Sequence, residues 1–327
     1  MNKAILYSKF IRYEILNTLF IQHPSTNCCK SLPIDLYIDI QSVYKQVLSE
    51  NLLSNDVKVI SVNILNMTAH YRHYFRKVFG SQVRVFLINS KKNENYNLYQ
   101  HLNNQSNTNI FRIVKVLAPY FPSIYYIDRE EFNASVIIYD IINRYSANNV
   151  SFIVSNDIYS YQLPALCRNC FVLRPSINPK LITYNNVIDS WYGRKNSSIS
   201  VSDLNPALLP LVMAMNKCSE LNLPTKQNMK NTLNIIRQLI SSSQILNGYN
   251  TPLKLLIFKD DIDVDIYNRW ILCDLVTQSR EYSNSLFVCD ESWMISKKCN
   301  FNELAYIIDT NFNYDAENIL NFIYLLD

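Results

Sequence analysis

At 327 residues the chain is long enough to bury a full core, and 48% hydrophobic and 13% aromatic residues exclude a disordered chain. A formal charge of +4 is only mildly basic, short of the clustered positive footprint of a dedicated nucleic-acid binder. Three glycines exclude Gly-rich phosphate loops of the Walker and dinucleotide-binding kinds, and no apolar run approaches the ~20 residues a membrane helix needs.

The eight cysteines are scattered, apart from Cys28-Cys29 and Cys167-Arg168-Asn169-Cys170. One CxxC cannot complete a tetrahedral zinc site by itself, and no secretory signal argues for disulfides, so free thiols in a reducing compartment are expected. Asn and Tyr make up about a fifth of the chain, a bias imposed by an AT-rich genome rather than by a fold. A phage or other virus is the expected source. Host cytoplasm or virion is the expected location, with the protein neither secreted nor embedded in a membrane.

In chain order, Ile5, Leu6, Phe10, Ile11, Ile15, Leu16, Leu19 and Phe20 are spaced like one face of a helix that Pro24 ends. Residues 1–31 are thus a helical arm, lying either on its own domain or on a partner. Leu32–Ile40 reads as a strand ending at Asp39, followed by a helix through Tyr44 and Val47. Val59–Phe79 is helical, and His70, Arg72, His73, Arg76 and Lys77 give it a basic face that either is solvated or lies against phosphates. Val83–Ile88 is a strand ending at Asn89. The polar stretch 91–109 reads as a loop or weak helix, Ile124–Ile127 as a short strand, and Asp128-Arg129-Glu130-Glu131 as the acidic opening of a helix reaching Tyr145.

Val150–Ser155 is the next strand. It runs into Asn156-Asp157-Ile158-Tyr159-Ser160-Tyr161-Gln162-Leu163, which places Asp157 at the mouth of the sheet. There Asp157 either caps the following turn or contacts a ligand, since open α/β sheets gather ligands at the carboxyl ends of their strands. Phe171–Arg174 and Leu181–Tyr184 form an edge hairpin. From Val201 the pattern turns helical. Asp203 caps Pro206–Met215, Thr225 or Asn228 begins Met229–Ser241, Leu253–Phe258 is strand-like, and Val264–Tyr282, Phe301–Phe312 and Asp315–Leu326 are helices. The expected fold class is α/β, a mostly parallel sheet flanked by helices over 32–200, followed by a helical lobe over 201–327.

This order of elements, together with Ser155-Asn156-Asp157-Ile158-Tyr159 and then Gln162-Leu163, resembles the PIN-like superfamily and its flap endonuclease (5′–3′ exonuclease) branch over about residues 33 to 240. Such nucleases show Ser-Gly-Asp-Lys-Asp, then Gln-Leu two residues later. The resemblance implies two divalent cations, Mg or Mn, held in a nest of carboxylates, one making hydroxide and the other stabilising the leaving oxygen. Asp39 matches the family's first-strand aspartate, and Asp157 and Glu220 are further remnants. Other acidic positions are replaced: Asn89 at a strand end, Asn133 and Ser135 where the helix should read Glu-Ala-Asp-Asp, Tyr159 beyond Asp157, and Lys217 in Asn216–Pro224. A lysine among the remaining acids neutralises them as a fixed cation, in competition with a metal. Glu131, one turn before Ser135, leaves a shifted ligand set of Asp39, Glu131, Asp157 and Glu220. The family's DNA-gripping Gly-x-Gly turn corresponds to Thr225–Lys230, which has no glycine, so Lys226 and Lys230 either meet phosphates or are simply exposed.

These losses set the functional expectations. The first is a catalytically inactive nuclease-like protein without cofactor, a structural or adaptor component held by protein partners in a viral nucleoprotein assembly, virion, or replication or transcription complex. The alternatives are a divergent metal-dependent 5′-nuclease cutting DNA or RNA, and a nucleic-acid-binding protein that does not cut, using Arg72, Arg76, Lys226 and Lys230. Neither a membrane nor a small-molecule substrate is indicated.

Overall fold

The computed structural model describes residues 33–50, 57–79, 83–90, 104–118, 124–129, 132–146, 148–167, 169–175, 180–192, 206–215 and 264–286. The sheet has the order β3-β2-β1-β4-β5-β6. Its strands are β1 (Ile34–Asp39), β2 (Val83–Ser90), β3 (Ile124–Arg129), β4 (Val150–Val154), β5 (Cys170–Arg174) and β6 (Lys180–Ile182). All pairings are parallel except β5 with β6, the expected edge hairpin, where Val172 lies opposite Ile182. The expected α/β architecture, a mostly parallel sheet flanked by helices, is therefore present.

The inner strands β1, β2, β4 and β5 are buried on both faces, which is why they read as continuous apolar runs. Leu36, Ile38, Val85, Leu87 and Phe152 face one layer, covered by α1 (Ile40–Glu50), α2 (Val57–Phe79) and α3 (Asn104–Leu117) through Val43, Ile64 and Val114. Tyr37, Phe86, Ile88, Ile153 and Val172 face the other, against Ile137, Ile138 and Ile141 of α4 (Ala134–Tyr145). Each such side chain contributes roughly 1.5–3 kcal/mol by leaving water. Aromatic rings cross strand boundaries, with Tyr37 stacked on Phe86 at 4.9 Å and Phe152 on Phe171 at 5.3 Å. Asp35, the acid near the start of β1, is buried and accepts two bonds from its register neighbour Arg84, at 2.7 and 2.8 Å, and a third from Asn149 at 2.8 Å.

The second layer also holds the described part of residues 201–327. Helix α7 (Leu209–Met215) is buried along its whole length, as a helix apolar all round must be. It lies after α5 (Leu163–Leu166) and α6 (Val187–Tyr192) in the chain. Trp270 and Cys273 of α8 (Val264–Cys273) and Leu275 of α9 (Leu275–Leu286) join the same apolar cluster.

Three sequence expectations are sharpened. Of the stretch expected as a loop or weak helix, residues 104–109 open helix α3, whose apolar face, Ile110, Phe111 and Val114, lies beyond the polar run. Asp128 and Arg129 end β3 rather than open α4, because Asn133 caps that helix instead, its side chain accepting from the Ser135 N–H at 2.8 Å. The helix expected over Val264–Tyr282 breaks at Asp274, which caps α9 by accepting from the Thr277 N–H at 3.0 Å.

The arm over 1–31, the cap Asp203, Met229–Ser241, Leu253–Phe258, Phe301–Phe312 and Asp315–Leu326 lie outside the described residues. Among those described, no helix is long and apolar enough to cross a membrane.

Candidate functional site

From β1 the chain runs outward through β2 and β3, then returns to β4 on the other side of β1. The carboxyl ends of β1 and β4 are thus the topological switch point, where an open α/β sheet leaves a crevice. Asp39 is the last residue of β1 and Asp157 lies three residues past the end of β4. The fold therefore brings together the two acids that the sequence singled out.

Both carboxylates are wrapped in hydroxyl and amide donors. Asp39 accepts from the Ser42 hydroxyl at 2.5 Å, the Ser155 hydroxyl at 3.1 Å and the Gln41 N–H at 3.1 Å. The same two hydroxyls accept from the loop after β4: Ser42 from the Asn156 N–H at 2.8 Å, Ser155 from the Asp157 N–H at 3.0 Å. Two serines thus stitch the loop to the first turn of α1 around a buried aspartate. Asp157 accepts from the Ser135 hydroxyl at 2.6 Å and from the Tyr159 N–H at 3.3 Å, capping the 3-10 turn Ile158–Gln162. The capping reading of Asp157 holds.

Burial raises the Asp39 carboxyl above its ordinary value against the opposing pull of Ser42, Ser155 and Lys45. Burial also raises Asp157, to about 6, opposed by the Ser135 hydroxyl and reinforced by the charge of Asp39. Lys45 of α1, half-buried, is lowered by burial while both carboxylates favour its charged form. The site therefore carries a cation of its own beside the two acids. The sequence expectation gave that part to Lys217, which lies outside the described residues.

The other replaced positions do different work. Asn89, buried at the end of β2, donates to Asp128 at 2.9 Å, and Asp128 also pairs with Lys115. Asn133 caps α4 and Ser135 serves Asp157. The Tyr159 hydroxyl donates to the Leu272 carbonyl at 2.8 Å. Next to it Gln162, fully buried, donates to the Cys273 carbonyl at 2.5 Å and accepts from the Leu275 N–H at 3.0 Å. Tyr159 and Gln162 together hold the break between α8 and α9 against the turn after β4. Arg72 is buried at 6% exposure, whereas His70, His73 and Arg76 are exposed on α2. Glu131, Glu220, Lys226 and Lys230 lie outside the described residues.

Sequence reasoning missed Ser42, Lys45 and the Lys115–Asp128 pair. The signal for Ser42 was a hydroxyl three residues after Asp39, one helical turn on. Lys45 carried no signal, because its approach to Asp157 depends on β4 lying beside β1.

Two hard cations need several oxygen ligands at once. The described residues supply two carboxylates whose oxygens already accept bonds, with Lys45 alongside, and hold no group of three or more His, Cys, Asp or Glu placed to bind a metal. Of the expected set Asp39, Glu131, Asp157 and Glu220, the two aspartates are among the described residues and the two glutamates lie outside them.

No known protein-family profile and no curated protein sequence matches the chain. Among solved structures it is similar to human GEN1 in complex with Holliday junction DNA, at 10% identity and a TM-score of 0.48, covering 89% of this chain and 71% of that one. It is likewise similar to the catalytic core of Rad2 in complex with a DNA substrate, at 9% identity and a TM-score of 0.48, covering 90% and 92%. Likeness this distant says nothing about activity.

Proposed function

We propose that this chain is a nuclease-like protein that does not cut phosphodiester bonds and works as a structural or adaptor component of a viral nucleoprotein assembly. The observation that carries the proposal is the chemistry of the switch point. Asp39 and Asp157 are tied into seryl and amide hydrogen bonds with Lys45 beside them, so their charge is spent on closing the sheet's own end. A cation entering there would compete with Lys45 and with the Ser42 and Ser135 hydroxyls for these carboxylates. The Asn- and Tyr-rich composition supports the viral source.

The test is incubation of purified protein with Mg²⁺ or Mn²⁺ and flap, nicked and single-stranded DNA and RNA, beside an Asp39→Asn/Asp157→Asn control. The expected result is no cleavage above that control. Reproducible cleavage abolished by the double substitution would instead favour a divergent metal-dependent nuclease, a reading supported by the meeting of two acids at the switch point. Salt-sensitive binding without cleavage, weakened by Arg76→Ala, would favour the nucleic-acid-binding reading. Of the residues expected for that reading, Arg76 is exposed on α2 beside His70 and His73, Arg72 is buried, and Lys226 and Lys230 lie outside the described residues.

A further inference from the structure

Away from the carboxylates, the structure pairs Cys167 with Cys170. Cys167 closes α5, its N–H donating to the Leu163 carbonyl at 2.9 Å, and Cys170 opens β5. Between them the chain makes a tight turn in which the Cys170 N–H donates to the Cys167 carbonyl at 3.0 Å. A turn closed in this way holds its end Cα atoms within ~7 Å. Disulfides span much the same Cα separation, usually ~4.4–6.8 Å. Both thiols are free, with no disulfide joining them.

The two sulfurs differ in access and acidity. Cys167 is half-buried, while Cys170 is buried at 2% exposure. The neighbouring Cys170 thiol holds the Cys167 thiol below its ordinary value, whereas burial pushes Cys170 well above. An accessible, more acidic thiol beside an enclosed one is the arrangement in which the first attacks and the second resolves.

We propose that Cys167 and Cys170 form a reversible dithiol–disulfide site that exchanges with small disulfides of the glutathione class. The Cys167 thiolate attacks one sulfur of the small disulfide; that S–S bond breaks, one small thiolate leaves, and a mixed disulfide forms on Cys167. Cys170 gives up its proton and attacks the Cys167 sulfur, releasing the second small thiol and closing the Cys167–Cys170 bond. Two protein thiols are oxidised and one small disulfide is reduced to two thiols. The oxidised form pins the start of β5 to the end of α5, directly after the Gln162 contact with the α8–α9 break.

The test equilibrates the full chain in glutathione buffers of increasing oxidised fraction, quenches with acid, alkylates the remaining thiols and maps disulfides by mass spectrometry. Trypsin cuts after Arg168, so the bond appears as two linked peptides. The expected product is a Cys167–Cys170 link that forms ahead of any other pairing among the eight cysteines and dissolves in dithiothreitol. Cys170→Ala should trap glutathione on Cys167, and Cys167→Ala should leave Cys170 unmodified. In the reduced native protein, iodoacetamide should label Cys167 at least ~10-fold faster than Cys170. Both thiols remaining alkylatable in the most oxidising buffer would overturn the proposal, as would scrambled pairing. The wild-type map and labelling rates decide the matter even if a variant misfolds.

Discussion

Asp157 titrates at about 6 because burial, reinforced by the Asp39 charge, outweighs the Ser135 hydroxyl. An acid raised above its unfolded value of ~3.9 binds its proton more tightly in the folded chain. Its contribution to stability is fully present below that unfolded value and is lost as pH rises through about 6. Asp157→Asn keeps an acceptor for the Ser135 hydroxyl and the Tyr159 N–H while removing the charge. It is expected to flatten the pH dependence of urea stability in that window and to raise stability at pH 7 by on the order of 2 kcal/mol. Lys45→Met acts in the opposite direction. Without the ammonium, both carboxyls move further up, and stability at pH 7 falls by on the order of 1 kcal/mol, with the titration read from side-chain carboxyl resonances by NMR. At this scale the sequence showed which acids end the strands, because an acid after an apolar run is visible locally. It did not show what surrounds them, since Ser42, Lys45 and Ser135 come from other segments of the chain.

The 3-10 turn Ile158–Gln162 joins distant parts of the molecule. Gln162 reaches across 111 residues of sequence to the Cys273 carbonyl and 113 to the Leu275 N–H, satisfying both backbone groups at the helix break. Gln162→Ala removes both of these buried bonds, at ~1–3 kcal/mol each. The expected loss is ~2–5 kcal/mol in urea unfolding, with faster amide exchange at Leu275. Tyr159→Phe removes the bond to the Leu272 carbonyl and should cost about 1 kcal/mol. The Gln-Leu pair was legible in the sequence as part of a familiar spacing. Its use as a clamp on α8 and α9 was not, because neither segment advertises the other. Helix starts were legible only where the cap was read correctly: the run of acids from Asp128 suggested a start, while Asn133 is the cap, and Asp274 interrupts a periodic stretch that looked continuous.

Across the whole molecule, the sheet separates two apolar layers, and the second is shared by strands, α4 and the described helices of residues 201–327. Phe152 lies at the centre of the first, between Phe75 at 4.4 Å and Phe171 at 5.3 Å. Phe152→Ala should destabilise by ~3–5 kcal/mol, measured by urea unfolding, because close neighbours on both sides restrict collapse of the cavity. A shared layer also predicts one transition. Trp270 is buried against the sheet's second face, so tryptophan fluorescence and far-UV circular dichroism should report the same midpoint in urea. Separate midpoints would mean that α8 and α9 melt independently of the sheet.

The α/β class, the strands and Asp39 and Asp157 at strand ends were determined by the sequence itself, because two-sided burial writes apolar runs and the acids that end them are local features. Tertiary structure alone decided that the two acids meet, that serines and Lys45 occupy the space between and beside them, and that Tyr159 and Gln162 hold a helix break more than a hundred residues away. The physical reason is the crossover at β1. A parallel sheet orders its strands by packing rather than by sequence, so residues at the switch point become neighbours only once β4 has returned to the other side of β1.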